Sequence, residues 1–177
     1  MKGTSAMPIK PAIDVKLMVY DEMEIGQELP PLQLQHDDDW QGRILVALDD
    51  ENPWYWKESP WGEPILNPAL LDDAPMVSAN RAFEYPFGFV HARQETEFYK
   101  PLSLGKPVNV VTKVVDKYRK RDKGYIVIES LVTEEDGTKI MATRNHAMID
   151  DERIRDAMAS GLKHHPPHSA EKYMKKD

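Results

Sequence analysis

The chain has 177 residues, a length that suits one packed domain with short extensions. Its 23 Lys and Arg against 30 Asp and Glu give a formal net charge of −7, which argues against a dedicated nucleic-acid binder, because phosphate contacts need clustered cations. The absence of cysteine excludes disulfides, thiolate zinc sites and Cys nucleophiles, and no apolar run approaches the roughly 20 residues of a membrane span. With no signal-peptide-like apolar segment at the start, the cytoplasm is the default expectation.

Residues 1–19, with Pro8, Pro11 and little periodicity, read as an arm laid on a surface. Leu32 and Leu34 alternate with Gln33 and Gln35, which predicts a short, half-buried strand. Asp37, Asp38 and Asp39 then open a helix, because carboxylates suit the bare N–H groups of a first turn. Trp40, Ile44, Leu45 and Leu48 follow as one apolar stripe at helical spacing. The helix should stop near Asp49 and Asp50, since Asn52-Pro53 drives the residue before the proline out of the α region. Residues 53–66 hold Pro53, Trp54, Trp56, Pro60, Trp61 and Pro64, rigid rings that suggest an ordered loop packed on something. Asn67-Pro68 is a good cap with Pro at the first helical position. Ala69, Leu70, Met76, Val77, Asn80 and Phe83 fit one long helix, but Pro75 would remove a hydrogen bond and clash with the preceding turn. Either the helix kinks at Leu71-Asp72 or a second one begins near Asp73.

Phe89 to Tyr99 alternates, with Val90, Ala92, Thr96 and Phe98 on one side and His91, Arg93, Glu95 and Glu97 on the other. Pro101 and Gly105 break the chain before a β-branched run from Val108 to Tyr118. Lys120 to Gly124 is a turn, Tyr125 to Thr133 a strand, Asp136-Gly137 a hairpin signal and Lys139 to Ile149 the returning strand. Asp150-Asp151 caps a short helix that Gly161 can end, and the stretch from His164 onward reads as a tail. The domain then spans 20–150, between the 1–19 arm and a 151–177 helix and tail. A helix against long antiparallel strands is an α+β layer arrangement, and the expected architecture is a hot-dog fold, a long central helix wrapped by an antiparallel β-sheet. Such a sheet buries one face on the helix and leaves an edge free to pair with another subunit.

Asp50-Glu51-Asn52-Pro53-Trp54-Tyr55 resembles the D-x-N-P-x-H stretch of the MaoC-like (R)-specific enoyl-CoA hydratases and 3-hydroxyacyl dehydratases, which there too follows a short helix. Gly62 to Leu71 resembles the segment that enters their central helix. His91 to Gly105 is similar to the strand and turn after it, particularly in the non-catalytic N-terminal halves of double-hot-dog dehydratases. The resemblance covers roughly residues 20–150. It implies reversible syn addition of water to a trans-2-enoyl thioester, with an Asp and a His holding one water and a backbone N–H at the central helix start polarising the carbonyl. That chemistry demands a base for the water, an acid for the α-carbon and a donor at the developing enolate oxygen.

On this pattern Asp50 matches the family's Asp, and Asn52 belongs to the same motif. Asn67 with the N–H groups of Ala69 and Leu70 stands at the carbonyl-polarising position, and Trp54 and Trp56 are candidate linings of an acyl pocket. Tyr55 stands where the family has His. A phenol with an ordinary pKa of about 10 is a poor neutral-pH base beside an imidazole at about 6.5, so the acid/base pair is incomplete within this chain.

Each residue also has a plainer role open to it. Asp50 beside Asn-Pro suits a helix end or Asx-turn, and Tyr55 a partly buried aromatic. His91 and His146 suit surface or interface positions, and His164, His165 and His168 a tail rather than a metal site. Ser78 and Ser103 have no His at triad spacing. The run Lys117, Arg119, Lys120, Arg121 and Lys123 reads as a solvated hairpin end, or as a basic loop for the phosphates of coenzyme A. The leading expectation is a hydratase/dehydratase subunit acting on an acyl-CoA thioester and completed by a His-bearing hot-dog partner. A homodimeric thioesterase, with Asp50 activating water, and a non-catalytic acyl-CoA-binding subunit stand beside it. No metal or redox cofactor, nucleic acid or membrane is implied, and a homo- or hetero-oligomer of hot-dog subunits is expected.

Overall fold

The computed structural model describes residues 16–84, 89–153 and 156. In chain order the elements are β1 (Lys16–Leu17), β2 (Leu32–Leu34), α1 (Asp38–Leu48), α2 (Ala69–Asp72), α3 (Ala74–Ala82) and β3 (Phe83–Glu84). Four long strands follow: β4 (Val90–Phe98), β5 (Val108–Lys120), β6 (Lys123–Thr133) and β7 (Lys139–Ile149). A five-stranded antiparallel sheet in the order β2–β5–β6–β7–β4 wraps the α2–α3 segment, while β1 pairs in parallel with β3. Residues 151–153 begin the expected C-terminal helix. Gly161, the His164–His165–His168 cluster and the arm up to residue 15 lie outside the described residues.

Local chemistry sets most of the boundaries. The Asp37 carboxylate caps α1 by accepting from the Trp40 N–H at 3.0 Å, and Asp49 ends it in the left-handed region at φ 53°. Arg121 and Asp122, both at positive φ, make the two-residue turn between β5 and β6, whose twist suits a hairpin. The central helix is interrupted at Asp73. Pro75 falls in the first turn of α3, where a missing N–H breaks no helical bond, so the second of the two arrangements open to the sequence is the one adopted.

The break is anchored on the sheet. The Asp72 carboxylate accepts from the Thr96 hydroxyl at 2.7 Å and from Thr143 at 3.4 Å, and its backbone carbonyl accepts from the Gln94 amide at 2.9 Å. Thr96 and Thr143 belong to a row that crosses the sheet in register, Thr112–Ser130–Thr143–Thr96. Thr112 and Ser130 share a 2.6 Å hydrogen bond, and Thr96 and Thr143 one of 3.2 Å. This hydroxyl row parts the core in two. On one side lie Met18, Met23, Leu29, Ala79, Phe83, Val114, Ile126, Ile128 and Ile149; on the other Leu32, Leu66, Leu71, Ala74, Val108, Val110, Val132 and Met141.

Three sequence expectations are corrected. In α1 only Leu45 of the apolar stripe is buried; Trp40 and Leu48 are exposed, and the residue that turns inward is Gln41. In β4 a bulge between His91 and Arg93 shifts the register. Arg93, Glu95 and Glu97 stay on the outer face, opposite His146, Arg144 and Ala142, whereas His91 joins Gln94, Thr96 and Phe98 on the helix-facing side. The basic hairpin is not simply solvated: Lys117 Nζ and the Arg119 guanidinium lie 4.5 and 4.4 Å from the centre of the Tyr20 ring, and Lys123 pairs with Asp150 at 2.6 Å. Lys117, Arg119 and Lys123 are thus engaged within the chain, while Lys120 and Arg121 are exposed at the turn.

Candidate functional site

The site grows out of the loop between α1 and α2. Asp50 follows the α1 cap, and its Oδ1 accepts from the Asn52 N–H at 3.0 Å, the Asx-turn expected beside Asn-Pro. Asn52 Oδ1 accepts in turn from the Trp54 N–H at 3.1 Å, starting a short 3-10 turn over Pro53–Tyr55. The other Asp50 oxygen accepts from the Asn67 amide at 3.3 Å. Asn67 Oδ1 also accepts from the Ala69 N–H at 3.0 Å, and the Leu70 N–H donates to the Asn67 carbonyl at 3.1 Å. Both backbone donors picked out as a carbonyl-polarising pair are thus already occupied by Asn67.

Gln41 ties these pieces together, and sequence reasoning missed it. Its buried side chain donates to the carbonyls of Tyr55 at 2.7 Å and Ile65 at 3.1 Å and accepts from the Asn67 N–H at 2.7 Å. One amide fills three backbone valences that a loop buried on a helix would otherwise leave unpaired. The available signal was a polar residue set beside Trp40 in an otherwise apolar helical face.

The structure divides the candidate residues between two sides of this loop. Asn52, Trp54 and Tyr55 line an apolar cleft of about 330 Å³ whose other walls include Leu71, Phe98, Tyr99 and Met141, with Lys100 among its lining residues. Asp50 and Trp56 line a separate groove of about 480 Å³ against Leu45, Val46 and Lys57. Asn67 is buried between them. Burial, then the negative charge of Asp50, pushes the Tyr55 phenol above its ordinary range, so at neutral pH it is a hydrogen-bond donor and not a base. Among the described residues no group of three His, Cys, Asp or Glu is arranged to hold a metal ion, and no helix is long and apolar enough to cross a membrane.

Comparison with solved structures decides the architecture. A monoamine oxidase regulatory protein from Archaeoglobus fulgidus superposes over 76% of this chain and 95% of its own, with a TM-score of 0.65 at 15% identity. The R-hydratase PhaJ1 from Pseudomonas aeruginosa covers 86% and 96%, with a TM-score of 0.60 at 19% identity. The HadBC complex, a 3R-hydroxyacyl-ACP dehydratase from Mycobacterium tuberculosis, covers 77% and 98%, with a TM-score of 0.58 at 15% identity. The chain has the hot-dog fold of the MaoC-like dehydratases. No protein-family profile and no curated protein sequence matches it. Within this hot-dog fold, the loop that carries the D-x-N-P motif is tied to the start of the central helical segment through Asp50, Gln41 and Asn67. What it presents to the cleft is a phenol, not an imidazole.

Proposed function

We propose that this chain is a subunit of an acyl-thioester hydratase/dehydratase of the MaoC-like family, in which its own loop shapes the acyl pocket and another hot-dog unit supplies the imidazole. One observation carries the reading: Tyr55 occupies the motif's His position, lines an apolar cleft and stays protonated, while Asp50 is tied to Asn52 and Asn67. Tyr55 then donates to the thioester carbonyl, and the acyl chain lies along Leu71, Phe98 and Met141. The HadBC neighbour, a dehydratase complex, supports assembly from more than one hot-dog unit. Coenzyme A as the carrier is part of this proposal. Nothing in the geometry favours the thioesterase reading, because Asp50 faces the groove across the loop from the cleft.

The test is hydration of crotonyl-CoA by the purified chain over a range of protein concentrations, alone and with a His-bearing hot-dog partner added. The expected result is a rate per chain that rises with concentration or on addition of the partner. Tyr55→Phe should lower it by about a hundredfold, the usual loss of one carbonyl-directed donor. Binding of acyl-CoA without hydration in every combination, Tyr55→His included, would show a non-catalytic binding subunit instead.

A further inference from the structure

Two pairs of rings from separate elements line the cleft beside the motif loop. Trp54 and Tyr55 come from the 3-10 turn, Phe98 is the last residue of β4, and Tyr99 follows it. The buried part of the lining is aliphatic, with Leu66, Leu71, Ile140 and Met141 at 5% exposure or below. Among these the Met141 thioether is polarisable and favours contact with a ring. Two of the four rings are braced by residues outside the lining. Trp61 packs edge-on against Trp54, with ring centres 5.7 Å apart and planes at 89°. Trp61 is itself set by Ser59, whose hydroxyl donates to the Glu63 carbonyl at 2.6 Å and accepts from the Trp61 N–H at 3.2 Å. The Tyr99 hydroxyl donates to Glu97 at 2.8 Å, its backbone N–H donates to the Ile140 carbonyl at 2.9 Å, and Lys139 Nζ lies 5.7 Å from the ring centre. Rings held in this way keep their spacing whatever enters.

Size and stiffness together select the occupant. The volume of about 330 Å³ equals the share of about eleven waters at roughly 30 Å³ each. Counting each non-hydrogen atom as about one such share, a crotonyl group with its carbonyl oxygen leaves the cleft about half empty. A 3-phenylpropenoyl group, with nine carbons and one oxygen, fills it. A linear nine-carbon chain has as many carbons but several more bonds to freeze, a loss that a planar ring avoids. Fixed aromatic walls also reward a ring with stacked or edge contacts that a methylene chain does not make.

We propose that the acyl group of the substrate is planar and aromatic, a 3-hydroxy-3-arylpropanoyl thioester interconverted with its 3-arylpropenoyl product. Trp61 is a positioning residue that sets this preference through Trp54. Conjugation of the new double bond with the ring favours the alkene, so the chain works as a dehydratase. The C2 proton passes to the imidazole of the other hot-dog unit, and the C2–H electron pair becomes the C2–C3 π bond. The C3–O bond breaks, and the hydroxyl takes a proton from that imidazole and leaves as water. The chemistry of this proposal rests on the hydratase/dehydratase reading, whereas the shape preference of the cleft does not.

Saturated thioesters read the preference without turnover. In calorimetric titration of the purified chain, 3-phenylpropanoyl-CoA should bind about tenfold more tightly than nonanoyl-CoA or butyryl-CoA. Nonanoyl-CoA binding as tightly, or none of the three binding, overturns the aryl assignment. Trp61→Leu removes the brace on Trp54 without altering the lining, and should cut the aryl-to-alkyl ratio to about threefold or less while nonanoyl-CoA binds as before. Trp61→Phe keeps a ring there and should retain the ratio. A ratio unchanged in Trp61→Leu, or both affinities falling together, overturns the role of Trp61. With a His-bearing partner added, 3-hydroxy-3-phenylpropanoyl-CoA should be dehydrated with a kcat/KM about tenfold above that for 3-hydroxybutyryl-CoA, followed by the absorbance of the conjugated product. Equal or reversed values overturn the aryl assignment and leave the dehydratase reading in place. Selective aryl binding with no dehydration in any combination overturns the dehydratase reading and leaves the shape preference standing.

Discussion

Gly124 leaves no room for a side chain. A Cβ there would stand 2.5 Å from Cδ2 and 2.7 Å from Cγ of Tyr20, the ring held between Lys117 and Arg119. Those are the inner atoms of a clamped aromatic, so the ring cannot swing aside cheaply. Gly124→Ala is expected to cost about 1–3 kcal/mol by overpacking, read as a lower urea midpoint with an unchanged slope. Tyr55 belongs to the same scale with the opposite consequence. Its position was legible in the motif, because spacing from Asp50 and Pro53 is a local property. Its chemistry needed the structure, since only the packed loop shows that burial and Asp50 hold the phenol protonated.

At the scale of elements, legibility tracked how local the cause was. The ends of α1 follow from Asp37 and from Asn52-Pro53, and both were readable within a few residues. The face presented by β4 was not readable, because one extra residue at Ala92 reverses the alternation for everything before it. The sequence left two arrangements for the central helix, and the anchoring of Asp72 by Thr96, Thr143 and Gln94 selects the break, contacts that span 22 to 71 residues. Two expectations follow. Gln41→Leu removes the partner of three buried backbone groups, so a loss of about 3 kcal/mol or more is expected, together with faster proteolysis in residues 50–67. Burial raises the Asp73 carboxyl above its ordinary range, more than the nearby His91 lowers it. A raised carboxyl stabilises the fold fully only below its unfolded value and loses that contribution as pH climbs through the folded one. Asp73→Asn should therefore raise the melting temperature at pH 7 and give no gain at pH 3.

For the whole molecule, acid should act in two stages. Burial lowers both His36 and His146 below the ordinary imidazole value, so the folded chain takes up those protons less readily than the unfolded one. Their contribution is complete above about pH 6.5 and declines as pH falls through that value toward the depressed ones. The Lys123 ammonium holds the Asp150 carboxyl below its usual range, a contribution present above about pH 4 and lost only in stronger acid. Melting followed from pH 8 to pH 2 should show both limbs, with Asp150→Asn flattening the second alone. The hydroxyl row offers a different perspective on the same unfolding. A line of small polar side chains is a natural seam for partial opening, because little apolar contact is lost by parting along it. Amide protons beside Met18, Met23 and Leu29 should then exchange through an opening that leaves those beside Val110, Val132 and Met141 protected, so the chain can loosen at its N-terminal clasp while the cleft stays formed.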